Sequence, residues 1–435
     1  MILRIAREKV GHRQGLTPNR PQSDSTQKGH PTRWPFCFSG TPCATRGPAI
    51  RSGAGTAQEK YLKARAAVLH VVGAPPPYEQ SRPLRVEEVE VDSPGPGEVL
   101  VRVRAAGLCH SDLSVINGDR PRPVPMALGH EAAGEVLECG PLVHDLAPGD
   151  HVVMVFVPSC GHCVPCSEGR PALCEPGAAA NAAGTLLGGS RRLSFRGSPV
   201  NHHMGVSAFS EYAVVSRRSL VKIDPALPFD EAALFGCAVL TGVGAVVNTA
   251  RMTPGTTAAV VGLGGVGMNS VLAAVLSGAR VVVAVDLFEE KLELARSLGA
   301  THAVNAAASD AIEQVRQASG GGVDFAFEMA GSVQAMELAY RITRRGGTTV
   351  TAGLPHPDHR WPLQHVNLTA EERTVKGSYV GSCVPLRDIP RYIALYREGK
   401  LPVDKLMSDH LRLEDINVGF DRLASGHVVR QVVML

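Results

Sequence analysis

Apolar and polar positions along the 435-residue chain follow two patterns that change near residue 238. From residue 63 to about 238 the apolar runs are short and broken by Pro and Gly, as in E-V-L-V-R-V-R-A-A-G (98–107) and D-H-V-V-M-V-F-V-P (150–158). Such runs predict short strands joined by turns, hence an all-β catalytic domain over 63–238. From 239 to 374, apolar runs alternate with stretches of helical period. Thr257 to Val261 reads as a buried strand, Val266 to Leu276 as a helix and Val281 to Val285 as a second strand, with V-D-F-A-F-E-M-A (323–330) and T-T-V-T-A-G-L (348–354) as later strands. That alternation predicts a doubly wound parallel sheet. The fold class expected is therefore α/β plus β, and residues 375–435 are expected to return to the catalytic domain.

Residues 1–62 fit neither pattern. After about Val10 they lack periodicity and are rich in Pro, Gly, Ser and Thr, so they are expected to be a disordered or spurious N-terminal extension. Their first ten residues could form a basic amphipathic turn of targeting type. The excess of Arg over Lys, which suits a GC-rich genome, favours a misplaced start instead. Ten Lys or Arg against three acids in this stretch account for the net charge of +3, so the charge implies no nucleic-acid partner for the body of the protein. An apolar content of 44% suffices for two cores, and no apolar run reaches the roughly 18 residues of a membrane span.

Two groups of metal-ligand residues stand out. Cys160, Cys163, Cys166 and Cys174 form a C-x2-C-x2-C-x7-C run in a Gly- and Pro-rich segment, the spacing of a closed tetrathiolate zinc site that holds together a loop with few apolar groups. Cys109 in G-L-C-H-S-D, His130 in G-H-E and Cys237 in F-G-C-A-V-L-T-G supply two thiolates and one imidazole. With an open fourth position they make a catalytic zinc site. Two zinc ions per chain are expected, and thiolates in this number imply a reducing cytoplasm. Cys139 and Cys383 read as core thiols, and Cys37 and Cys43 lie in the N-terminal stretch.

Gly262-Leu263-Gly264-Gly265-Val266-Gly267 follows a predicted strand and opens a predicted helix, and Asp286 lies 19 residues past its last glycine. This is the dinucleotide fingerprint in its required setting: the backbone can approach a pyrophosphate, and Asp286 can accept both ribose hydroxyls. NAD is expected over NADP, because a 2′-phosphate would meet the Asp286 carboxylate.

In these motifs and their order the chain resembles the medium-chain zinc-dependent alcohol dehydrogenases, over roughly Lys63 to Leu435. Leu186 to Tyr212, with H-H-M-G-V-S-A-F-S-E-Y, looks like the long dimeric branch of liver-type and glutathione-dependent formaldehyde dehydrogenases. The resemblance implies a GroES-like catalytic domain, a Rossmann coenzyme domain and a homodimer. It also implies hydride transfer between a primary or secondary alcohol, or the corresponding aldehyde or ketone in reverse, and NAD.

The resemblance further makes Ser111 the hydroxyl that accepts the alcohol proton, Asp112 the carboxylate that orients His130, and Glu131 an acid that can transiently approach the metal. It places His110 and Arg430 at the pyrophosphate, Thr241 and Val266 behind the nicotinamide, Lys291 near the adenosine ribose, and Phe156 and Leu354 in the alcohol pocket. His110 is mostly neutral above about pH 6.5 and would hold phosphate loosely. Ser114 stands where many relatives end a proton relay in His. Arg120 and Arg122 stand where glutathione-using relatives carry acids, which turns the expectation away from S-(hydroxymethyl)glutathione dehydrogenase, the alternative enzyme. A catalytically silent, zinc-stabilised nucleotide-binding protein is the reading from another class, against which intact Cys109, His130, Cys237 and Ser111 argue.

Overall fold

A computed structural model describes residues 61–435; the preceding stretch, with its amphipathic start, Cys37 and Cys43, lies outside the described residues. The first strand, Tyr61–Leu69, begins two residues before the boundary expected at 63, because Tyr61 and Leu62 already pair with Asp92 and Val91 of the antiparallel strand Leu84–Asp92.

These two strands close a small barrel with Leu193–Phe195, Ser198–His202 and Met126–Ala127. Beside it runs a seven-stranded sheet in the order Leu220–Ile223, His151–Met154, Ala132–Cys139, Glu98–Gly107, Arg430–Met434, Met407–Arg412, with Tyr212–Ser216 also paired to Glu98–Gly107. The alternation of Glu98–Gly107 shows why: Val99, Val101, Val103 and Ala105 are all buried, while Arg102 and Arg104 turn outward. The C-terminal strand Arg430–Met434 lies antiparallel to Glu98–Gly107, pairing Val432 with Gly107. That register brings the end of the chain beside the residues that lead into Cys109.

The second sheet has six strands, all parallel, in the order His302–Asn305, Val281–Asp286, Thr257–Val261, Val323–Glu328, Thr343–Thr351, Thr374–Gly377. Its central strand, Thr257–Val261, is buried at every residue, as expected where helices cover both faces. The helix after it is Gly265–Leu276, one residue longer at its start than the sequence pattern predicts. Strand order reverses between Thr257–Val261 and Val323–Glu328, so a crevice opens at their carboxyl ends, the usual ligand position of such sheets. Phe209, Phe235, Phe327 and Phe420 are fully buried, each contributing about 2 kcal/mol of apolar burial.

Candidate active site and metal centres

Cys109 caps the short helix His110–Ile116 directly after the strand Glu98–Gly107, held there by the Leu108 amide donating to the Gln431 carbonyl at 3.0 Å. His130 follows Gly129, whose φ of +92° and whose Cα, where a Cβ would stand 2.5 Å from the Phe209 nitrogen, admit only glycine. Cys237 opens the helix Ala238–Gly244. Three loops remote in sequence thus bring two sulfurs and an imidazole nitrogen within 4.8 Å of one another, all buried. A hydrogen bond from Cys237 and the nearby imidazole hold the Cys109 thiol well below its usual range, whereas Cys237, which shares that proton, is raised.

Behind this cluster lies a fully buried carboxylate. Asp112 Oδ2 is 3.0 Å from His130 Nδ1, and Asp112 Oδ1 is 2.9 Å from His203 Nδ1 and accepts from the Gly129 amide at 3.0 Å. Burial alone would raise the Asp112 carboxyl; His130 and then His203 outweigh it and hold it well below the carboxylate range. His130 Nδ1 faces the Asp112 carboxylate at 3.0 Å, and neither Nδ1 nor Nε2 makes a hydrogen bond among the described residues. A buried, unpartnered imidazole nitrogen beside two thiols is the donor set of a zinc site with an open position. His203 escaped the sequence reading: it sits in the quoted H-H-M-G run, but no spacing rule ties it to Cys109.

Cys160, Cys163, Cys166 and Cys174 also bring their sulfurs within 4.8 Å. Backbone amides turn toward them: Cys163 N donates to Cys160 Sγ at 3.3 Å, Cys160 N to Cys174 Sγ at 3.1 Å, and Gly177 N to Cys174 Sγ at 3.3 Å. The His162 amide, followed by that of Cys163, brings the Cys160 thiol down to about 6, while burial pushes Cys166 up to about 12. Donors aimed at sulfur favour thiolates, the form a tetrathiolate zinc requires. All eight described cysteines are free.

The glycine-rich turn fits a dinucleotide. Gly262 has φ +91°, and a Cβ on Gly267 would stand 1.8 Å from the Gly262 carbonyl oxygen, so the turn closes only with glycine. A Cβ on Gly264 would meet nothing within 4 Å: the backbone there faces open space at the start of a twelve-residue helix. Asp286 is held by accepting from Leu263 N at 2.6 Å and Leu287 N at 2.7 Å. Lys291 Nζ lies 5.2 Å from the Phe288 ring centroid, and burial lowers its pKa.

Arg430 bridges the two halves of the site. Its side chain packs on Gly265, Nη1 donates to the Leu108 carbonyl at 2.8 Å and Nη2 to Glu131 at 2.7 Å, while the buried Nε keeps a free proton. Glu131 is therefore paired with Arg430 rather than turned to solvent. Burial lifts its carboxyl to about 7 against the pull of that arginine.

Among the other expected residues, Ser111 is half-buried in the first turn of the Cys109 helix. His110 is exposed at the start of the same helix, and its pKa is lowered, mainly by desolvation and then by Arg430, Lys291 and Arg120. Ser114 cannot stand in for a relay histidine, since its hydroxyl donates to the His110 carbonyl at 2.8 Å and accepts from Arg120 at 2.9 Å. Thr241 is buried in the helix after Cys237, and Val266 lies in the first turn of the dinucleotide helix. Phe156 packs edge-on to His130 at 5.0 Å between centroids and to Tyr379 at 6.4 Å, which adds Tyr379 to the ring wall. Leu354 is half exposed and lines, with Tyr379, a cavity of about 390 Å3 between Arg170–Leu173 and Thr351–Gly353.

A two-thiolate, one-imidazole cluster at the mouth of a dinucleotide crevice, with a tetracysteine lobe alongside, defines a zinc-binding dehydrogenase. Comparison agrees: residues 95–225 match the family described as alcohol dehydrogenase GroES-like domain, and residues 265–398 match zinc-binding dehydrogenase. A Mycobacterium tuberculosis protein provisionally named alcohol dehydrogenase D is 40% identical over 376 residues, 86% of this chain and 100% of that one. NDMA-dependent alcohol dehydrogenase of Amycolatopsis methanolica is 39% identical over 379 residues, 86% of this chain and 99% of that one. Among solved structures, benzyl alcohol dehydrogenase of Acinetobacter calcoaceticus superposes with a TM-score of 0.80 at 31% identity, covering 86% of this chain and 99% of that one. The chain belongs to the medium-chain zinc-dependent alcohol dehydrogenase family, and its GroES-like and Rossmann-type parts are those of that family.

Proposed function

We propose that this protein oxidises primary or unhindered secondary alcohols, or reduces the matching aldehydes and ketones, with NAD as hydride carrier and two zinc ions per chain. The observation that carries the reading is the buried Cys109–His130–Cys237 cluster backed by Asp112, with His130 Nε2 left open beside the dinucleotide crevice. When bound, zinc supplies Lewis acidity that lowers the pKa of an alcohol oxygen, and NAD accepts the hydride.

The chain's own residues do the rest. Asp112 holds His130 in the tautomer that frees Nε2. Ser111, two residues past Cys109, would take the alcohol proton, and Ser114, committed to His110 and Arg120, does not carry it further. Phe156 and Tyr379 wall the pocket and exclude water. Gly264 and Gly265 offer backbone to a pyrophosphate, Arg430 Nε offers it a buried donor, and Asp286 accepts the ribose hydroxyls. A neutral His110 makes that grip looser than an arginine would.

The edge strand Thr374–Gly377 has a free side in the described chain and suits the long-branch homodimer by sheet extension. Free thiols at the eight described cysteines suit the cytoplasm, and no described helix is long and apolar enough to cross a membrane. The NDMA dependence of one relative raises a second reading, in which turnover depends on NDMA rather than on free NAD. A panel of alcohols with NAD, NADP or NDMA, with and without glutathione, tests the proposal. NAD-dependent oxidation without glutathione is expected. Activity with formaldehyde plus glutathione about a hundredfold above the best free alcohol would replace it with the glutathione-dependent reading, and turnover only with NDMA would remove NAD as the exchangeable acceptor.

A further inference from the structure

The segment that carries Tyr379 is held in a conformation that L-residues adopt only under constraint. Val380, Gly381 and Ser382 have φ of +51°, +62° and +50°, three successive residues in the left-handed region. Glycine suits the middle position, where a Cβ would also stand 2.3 Å from the Leu240 carbonyl oxygen. Val380, branched at Cβ and buried, is strained there, and such strain persists only where the surroundings impose it.

The constraint comes from the stretch that follows Cys237. The helix Ala238–Gly244 runs on into one turn of π-helix, Ala245–Ala250, which shifts its side chains off the α-helical register. There Thr249 Oγ1 bonds Ser378 Oγ at 2.8 Å and Ser382 Oγ at 2.9 Å, so one hydroxyl clasps both ends of the left-handed turn. Beside it Asn248 Nδ2 donates to the Gly381 carbonyl at 3.3 Å, and the Cys383 thiol donates to the Leu240 carbonyl at 3.2 Å. Between the clasped ends Tyr379 projects to the ring wall, 6.4 Å from Phe156 between centroids. Ser378, Tyr379 and Ser382 line the cavity of about 390 Å3, and Thr249 stands behind them without lining it. The Tyr379 hydroxyl makes no hydrogen bond among the described residues, so the ring is placed by its own backbone and by Phe156.

We infer that Thr249, seconded by Asn248, is a positioning residue for the alcohol pocket: by clasping the left-handed turn it fixes Tyr379 edge-on to Phe156 and so limits how thick a substrate ring the cavity admits. This rests on the alcohol dehydrogenase reading and adds to it a determinant of substrate shape. A flat ring or unbranched chain clears the fixed wall, whereas a puckered ring of the same carbon count meets it. The effect of Thr249 reaches the substrate only through Tyr379.

The test compares kcat/KM of the holoenzyme for benzyl alcohol and cyclohexylmethanol, which share a carbon skeleton and differ in ring thickness. Their intrinsic reactivities cancel when the ratio is compared between parent and variant. Thr249→Val should lower the benzyl-to-cyclohexyl ratio by about tenfold, the lower end of what a pocket wall gives for one methylene, and Thr249→Ser should restore it. In a Tyr379→Ala background, adding Thr249→Val should change the ratio by less than about twofold while still lowering thermal stability, because the two residues act as one unit on selectivity. Ser382→Gly opens one end of the clasp without adding strain, and should lower the ratio in the same direction even if Thr249→Val fails to fold. A ratio unmoved in both Thr249→Val and Ser382→Gly, or lowered equally with and without Tyr379, overturns the inference. Protein labelled with 3-fluorotyrosine gives a readout that needs no turnover. Its Tyr379 fluorine resonance, identified by loss in Tyr379→Phe, should shift or broaden in Thr249→Val or Ser382→Gly and return in Thr249→Ser. An unmoved resonance overturns the inference whatever the enzyme oxidises. A resonance that moves in a protein that oxidises no alcohol keeps the clasp and overturns the dehydrogenase reading instead.

Discussion

Replacing Asp112 by Asn tests the support behind the proposed catalytic metal. Asp112 accepts one hydrogen bond, from the Gly129 amide at 3.0 Å, and its two oxygens face His130 Nδ1 at 3.0 Å and His203 Nδ1 at 2.9 Å, all out of contact with water. Asn keeps the shape but has one acceptor oxygen, so its amide hydrogens must face a donor on one of the two histidines. The lost acceptor strands a buried donor at about 1–3 kcal/mol, and the lost charge weakens the remaining contacts. Part of this falls on folding. The part that reaches the metal should follow the usual effect of a partner behind a ligand, about 10- to 100-fold in affinity. Zinc affinity of Asp112→Asn is read by competition with a chromophoric chelator, the tetracysteine site serving as internal reference because it lies on a separate loop. One zinc should leave early, with the other unmoved and kcat reduced. A competition curve within about twofold of the parent's for both ions, with kcat unchanged, would show that Asp112 does not orient a metal ligand.

Three further outcomes are expected. Cys163→Ser should remove the second zinc and lower thermal stability before it touches turnover, since the lobe has few apolar groups to replace the ion; unchanged metal content and melting would refute a structural site there. Asp286→Ser should narrow an NAD preference worth several kcal/mol, as read from kcat/KM with the two coenzymes, because it removes the carboxylate that a 2′-phosphate would meet; equal kcat/KM in the parent would refute the charge argument. In zinc-free protein, Glu131 binds its proton more tightly folded, at about 7, than at its ordinary value of 4.5, so its contribution to stability is present below about 4.5 and is lost as pH rises toward 7. Urea titrations should show that decline in the parent and a flatter profile in Glu131→Gln; identical slopes would refute the assignment.

Much of this was legible in the sequence for definite reasons. The Rossmann part announced itself because its central strand, Thr257–Val261, is buried on both faces and its turn closes only with Gly262 and Gly267, constraints that leave an unbroken apolar run and fixed glycines. The tetracysteine lobe was legible because all four ligands lie on one loop. Cys109, His130 and Cys237 were harder: three loops assemble them, and only the neighbouring motifs gave them away. Longer-range contacts left no local signal. Nothing in the sequence pairs His203 with Asp112, or sets Tyr379 edge-on to Phe156, since those meetings depend on how the barrel and the parallel sheet pack. The commitment of Ser114 to Arg120 likewise depends on the fold of one loop.

The most direct test of the central claim is metal analysis by mass spectrometry of the parent and Cys109→Ser, alongside NAD binding and alcohol turnover. The account predicts two zinc ions in the parent and one in Cys109→Ser, with NAD binding kept and turnover lost. One zinc or none in the folded parent, or a Cys109→Ser protein that still turns over alcohol, would contradict it.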